Sequence, residues 1–260
     1  MAGRLIREDL DGGIVRLTIS NPDKRGALDH PILDSLAEEL PRIEASCLIL
    51  TGDGPIFSAG YDIGDIPEEV FAEEAEKIIA HPFAAALEGL DSCEVPIVAA
   101  INGPAIGGGL EVALACDLRI TAPEAKFGMP PAKLGLVYSH TGLRRFIDAV
   151  GVPRTRELFL LGRRIDAERA LDWGLVNEIA EPGSLEDTAL AMARELAANA
   201  PLSIRGNKRI LRELEAAAGS LDPDVERELV ALRKSCFSSE DFREGVRAFA
   251  ERRSPEFKGR

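Results

Sequence analysis

Short runs of β-forming residues alternate with helical segments through the first two-thirds of the chain, and few architectures accommodate that alternation. GIVRLTI at 13–19 reads as a strand, CLILTG as a buried strand, and VPIVAAI, DLRITA and LVNEIA as three more. Between them PILDSLAEELPRI has helical spacing, and an acidic amphipathic helix is expected over 67–92. From about 183 the strands stop. SLEDTALAMARELAANA, PLSIRGNKRILRELEAAAG, DPDVERELVALRKSCF and EDFREGVRAFAERR all read as helices. The expectation is an α/β core over 1–195 and a C-terminal helical region over 196–260, which a chain of 260 residues can bury around one centre. Leu211, Leu214, Leu229 and Leu232 recur at helical spacing in that tail, and such a face needs a partner surface.

Charge narrows the partners. A net charge of −13 disfavours nucleic acid and an anionic membrane surface, both of which attract basic proteins. The cysteines (Cys47, Cys93, Cys116, Cys236) are scattered, without metal-ligand spacing, and read as core filling. The start, MAGRLIREDLDG, has no apolar stretch of the signal-peptide kind, so a cytoplasmic protein is expected. The apolar stretch at 95–118 is interrupted by proline, asparagine, glycines and Glu111, and reads as strand, turn and helix rather than a membrane span. His30 and His81 read as surface residues and Trp173 as core.

The stretch PAIGGGLEVALACDL places Glu111 just after three glycines, at the head of an apolar run. No lysine follows the glycines as a phosphate loop requires, and the GxGxxG spacing of a dinucleotide site is absent. Two uses remain. Glycines let main-chain N–H groups face a ligand at a helix N-terminus, or they let a helix pack closely on a strand. A second small-residue turn, FSAGYDI at 57–63, has the same potential. Two such turns can converge into an oxyanion hole, which stabilises charge developing on a carbonyl oxygen.

The pair TGDGPIFSAGYDI and NGPAIGGGLEVALACDLRI resembles the signature of the crotonase, or enoyl-CoA hydratase/isomerase, family. NPDKRGALD resembles that family's early coenzyme A loop, with Gly26 where asparagine is usual. KFGMPPAKLG resembles its loop after the central strand, and GVPRTRELFLLGRRIDAERALDWGLVNEI its following helices and strand. FREGVRAFAERRSPEFKGR resembles its last helix, so the likeness covers nearly the whole chain. It implies a spiral of strand–strand–helix units with a helical trimerisation region, and an enzyme that stabilises a thioester enolate. It also implies a homotrimer or a dimer of trimers. Neither a metal nor a redox cofactor is implied; coenzyme A comes as part of the acyl-CoA substrate.

Carried over by position, the resemblance gives backbone N–H groups of Tyr61 and Gly108 the oxyanion role. Lys24, Arg25, Ala27, Ala59, Asp62, Ile63 and Gly107 would line the coenzyme A site. Phe249 and Arg252, on the last helix, would reach the nucleotide. Glu111 matches one of two catalytic glutamates of family hydratases; the alternative for it is a carboxylate capping a first helical turn. Where the second glutamate would follow, FGMPPAKLG has Pro131. LGLVYSHTG then brings Tyr138 and His140, and KLGLVYS together with FAERRSPEF resembles the methylmalonyl-CoA decarboxylase branch, which carries a histidine where Tyr61 stands. Tyr138 is expected either to orient substrate or to line the pocket, and His140 to sit on a polar rim. Hydratase or isomerase chemistry is the leading expectation. Decarboxylation of a malonyl-type CoA and a non-catalytic acyl-CoA binder are the alternatives.

Overall fold

The computed structural model describes residues 2–62, 71–218 and 223–258. Ile63 and the start of the helix expected at 67 lie outside the described residues. In chain order come β1 (Arg4–Leu10), β2 (Ile14–Ser20), α1 (His30–Glu39), β3 (Cys47–Gly52) and α2 (Phe71–Ser92). Then follow β4 (Ile97–Ile101), β5 (Ala105–Ile106), α3 (Gly108–Leu114), β6 (Leu118–Thr121), β7 (Lys126–Gly128) and α4 (His140–Arg156). The core closes with β8 (Arg164–Asp166), α5 (Ala167–Asp172) and β9 (Glu178–Ile179). Four helices end the chain: α6 (Leu185–Ala198), α7 (Pro201–Ala218), α8 (Pro223–Phe237) and α9 (Glu240–Ala250).

The main sheet runs in the order β1-β2-β3-β4-β6-β9, antiparallel between β1 and β2 and parallel elsewhere. A smaller sheet, β5-β7-β8, stands beside it. Each turn of chain visits both and then forms a helix: β4, β5, α3, then β6, β7, α4. The earlier turns do the same with single bridges. After β3 the chain touches β5 through Ser58 and Ala105, and Leu28, after β2, pairs with Tyr61. The result is a spiral of strand–strand–helix units whose second strands stack into one edge. That edge carries the glycine turns.

Burial follows the pattern of the sequence. β3 and β4 are apolar almost throughout because both faces are covered. α1 is capped by Asp29, whose side chain accepts from the Ile32 N–H, and it buries Ile32, Leu33 and Leu36 against the core. The first strand was not anticipated: RLIREDL is an exposed edge whose charged residues hide the strand pattern while also discouraging edge-to-edge pairing.

The boundary expected between 195 and 196 falls inside α6, which packs on β3, β4 and β6. The helices beyond are held to the core at several places. Lys208 of α7 donates to Asp117 Oδ2 at 2.6 Å and to the Val95 carbonyl at 2.9 Å. α9 lies on the turn Pro131–Leu134, and contact is so close that a Cβ on Gly245 would stand 2.3 Å from the Leu134 carbonyl oxygen. Arg212 of α7 also donates to the Asp91 carbonyl, but Leu202, Ile210, Leu211 and Leu214 of that helix are all exposed, as is Leu232 of α8, while Leu229 is half-buried. Among the described residues no helix is long and apolar enough to cross a membrane.

Candidate active site

A cleft of about 2040 Å³ opens between the glycine edge and the C-terminal helices. Two segments of main chain form its first wall. The Ile106 N–H donates to the Ser58 carbonyl at 2.9 Å, and the Gly107 N–H to the Gly128 carbonyl at 2.9 Å, fixing the turns at 58–61 and 106–108 side by side. Gly60 and Gly107 both have positive φ (91° and 55°), which an L side chain rarely adopts. A Cβ on Gly60 would also lie 2.7 Å from the Ile106 carbonyl oxygen and 3.2 Å from the Gly108 nitrogen, so the turns touch only because it is absent. Gly108 starts α3, where the first N–H groups have no intrahelical acceptor. The tyrosine ring of residue 61 meets Phe83 edge-on at 4.8 Å.

Glu111 lies in the first turn of α3, 2% exposed. The Tyr138 hydroxyl donates to its Oε2. Its Oε1 faces Gly142 in the first turn of α4, where a Cβ would come within 2.8 Å. Burial pushes the Glu111 carboxyl above the usual carboxylate value, against the opposing pull of Tyr138 and of Arg145. Burial and the neighbouring Glu111 also hold the Tyr138 phenol well above its ordinary value, so it stays a donor. Arg145 is itself gripped by Asp91 through both terminal nitrogens, at 2.9 and 2.7 Å. Pro131, buried, begins the turn on the opposite wall.

Of the residues singled out in the sequence, Glu111, Tyr138, Tyr61, Gly108, Gly107, Ala59, Arg25 and Phe249 all border this cleft. Lys24 and Asp62 meet each other instead, at 2.6 Å, tying the loop after β2 to the turn before α2. Ala27 is buried behind them. Gly26 has φ 66°, and a Cβ there would stand 3.2 Å from the Phe57 carbonyl oxygen, which explains a glycine at that point. Arg252 corrects the expectation that it sits on the last helix: α9 ends at Ala250, and Arg252 follows in a left-handed turn at φ 55°. Phe249 is on α9 and 60% exposed. His140 opens α4 with its Nε2 3.5 Å from Glu226 of α8. Trp173 is buried and His30 exposed, as anticipated, whereas the side chain of His81 lies outside what is described. Sequence reasoning missed Arg145 and Arg233, both of which border the cleft, because isolated arginines in helices look like solvated charges.

A spiral of this kind, with converging glycine turns and a buried glutamate, defines an acyl-CoA enzyme that works through a backbone oxyanion hole. Residues 9–260 match the family model for enoyl-CoA hydratase/isomerase, and the chain belongs to that family. It is 35% identical over 257 residues to a probable enoyl-CoA hydratase of Bacillus subtilis, covering 96% of this chain and 97% of that one. It is 32% identical over 251 residues to the 2,3-dehydroadipyl-CoA hydratase of Escherichia coli, with 95% and 96% covered. Among solved structures, a methylmalonyl-CoA decarboxylase in complex with 2-nitronate-propionyl-CoA superposes with a TM-score of 0.88. That pair is 28% identical, and 100% of this chain and 99% of that one are covered.

Proposed function

We propose that the protein moves a proton within an acyl-CoA enolate by means of one carboxylate, the chemistry of a 3-enoyl- to 2-enoyl-CoA isomerase. The carrying observation is a buried Glu111 that shares its cleft with Pro131, the residue which the family resemblance puts where the second glutamate of hydratases would follow. Backbone N–H groups of Tyr61 and Gly108 donate to the thioester oxygen, and the electron pair left by the departing Cα proton is held there as an enolate. Glu111 takes that proton and returns it two carbons along. A carboxyl raised toward neutrality suits both steps. Water addition needs a second group to hold and activate the water, and proline has none to offer.

A second reading rests on Tyr138. Its hydroxyl reaches the reacting region and donates there, and the similar decarboxylase structure keeps the same overall frame. A carboxylate on Cα, oriented by that hydroxyl, would leave as CO₂ with its bonding electrons passing into the same enolate. The two readings separate on a panel of thioesters. With 3-enoyl-, crotonyl- and methylmalonyl-CoA offered in turn and products read by mass, isomer from the first substrate alone supports proton transfer. Propionyl-CoA from the third alone supports decarboxylation and overturns the first reading.

Arg25, Ala59 and Gly107 contact the coenzyme A portion in this reading, on a loop shaped by Ala27 and the Lys24–Asp62 pair and continued by Ile63, and Phe249 and Arg252 approach its nucleotide. Coenzyme A enters as part of the substrate, and no metal or redox cofactor is called on. Free cysteines at 47, 93, 116 and 236 fit a reducing cytoplasm. The bare leucines of α7 fit a homotrimer or dimer of trimers. Light scattering that returned a 28.0 kDa particle at micromolar concentration would overturn the assembly.

A further inference from the structure

Two half-buried arginines border the cleft, each with a buried Nε that has no acceptor, and they differ in what their other nitrogens meet. Arg145 has its terminal nitrogens committed to Asp91. Arg233, on α8, borders the same cleft with its Nε buried and without an acceptor, and no carboxylate among the described residues pairs with it. A buried N–H of a cation left unmatched is unfavourable, and a fold tolerates it where a ligand supplies the acceptor.

The position of α8 says which part of a ligand that would be. The helix lies across α2 and α4, and His140 and Glu226 draw its first half toward the first turn of α4. It is therefore held against the helix whose first turn, at Gly142, meets Glu111 and Tyr138. Tyr61, Glu111 and Arg233 all line this one cleft. An acyl chain that starts at the Tyr61 and Gly108 amides and passes Glu111 therefore shares its cleft with a cation that has no carboxylate partner among the described residues. The Nε–H and one Nη–H of a guanidinium form a parallel pair of donors that matches the two oxygens of a carboxylate.

We propose that Arg233 is a specificity residue which binds a carboxylate at the far end of the acyl chain, so that the preferred substrates are thioesters of dicarboxylic acids. This rests on the reading of the cleft as an acyl-CoA site. It adds a charge requirement that a simple fatty acyl chain does not meet. An arginine facing a chain that ends in a methyl group would have to stay desolvated and unpaired, so selectivity arises from both sides.

Calorimetry with unreactive saturated thioesters tests it directly. The wild-type protein should bind glutaryl-CoA or adipyl-CoA more tightly than butyryl-CoA by about 10- to 100-fold. Arg233→Met should abolish that preference, and Arg233→Lys should restore part of it, because an ammonium keeps the charge without the paired donors. Circular dichroism melting of each variant checks folding, and the wild-type preference is a measurement that needs no variant. Butyryl-CoA bound as well as glutaryl-CoA by the wild type would overturn the proposal and leave the acyl-CoA reading standing. Equal weakening of both ligands in Arg233→Met would overturn it in favour of a phosphate contact. Failure of the wild type to bind any thioester would overturn both readings.

Discussion

The turns at 58–61 and 105–108 face the loop at 129–142 across one cleft, yet the two walls are built on different terms. The first is main chain, placed by sheet register and by glycines that leave no room for any other residue. The second is side chain, set by Pro131 and Tyr138 and covered by α8 and α9. Backbone donors are the same whatever the substrate, so in the proposed mechanism the first wall supplies enolate stabilisation to any thioester. Selection among reactions falls to the second. A family can thus keep one wall and exchange the other.

That division can be broken at three points. The largest effect belongs to Glu111, which grows from the first wall but takes its hydrogen bond from the second. Glu111→Gln keeps shape and removes the ionisable proton, so kcat on the best thioester should fall by about 10²–10⁴ with KM nearly unchanged. Steady-state kinetics that returned an undiminished kcat would remove Glu111 from the chemistry. Next comes Gly60→Ala, which pushes a methyl group against the Ile106 carbonyl and parts the two turns. Turnover should drop by about 10²–10³, the usual value of one oxyanion donor. Full activity there would mean that the amides need no such register.

Tyr138→Phe is expected to be mildest, about tenfold in kcat, the scale of one hydrogen bond to a charged group. It also carries a pH signature. With Glu111 as the base of the proposed proton transfer, kcat/KM rises with pH through its pKa, and that limb should lie above the ordinary 4.5. The hydrogen bond from Tyr138 favours the ionised form, so its removal should move the limb further up. A Tyr138→Phe enzyme more damaged than Glu111→Gln would instead place the chemistry with decarboxylation, where orienting the departing carboxylate precedes any proton transfer.

The first wall was legible in the sequence and much of the second was not. GGGLE and FSAGYDI announce themselves because positive φ and close approach leave glycine as the residue that fits. The parallel strands were equally plain, since CLILTG and VPIVAAI are apolar on both faces. Short strands such as Ala105–Ile106 and Lys126–Gly128 have too few residues for any periodicity, and the charged edge strand at 4–10 conceals its own. Arg145 and Arg233 were invisible for another reason. Only tertiary packing turns a helix-surface arginine into a group inside a cleft, and here one gains a partner while the other does not.

The contact of α9 with the turn at 131–135 has a consequence for the order in which the protein comes into being. During synthesis the sheet and the glycine turns are complete long before residue 240 leaves the ribosome. Gly135 and Gly245, however, sit flush against main chain from the other segment, at Asp241 and Leu134 respectively. A nascent chain halted before α9 therefore has a second wall that lacks the main-chain backing of Asp241 and Gly245. The turn at 131–135 gains its last main-chain support only when the final helix docks, so the second wall is the later of the two to be completed.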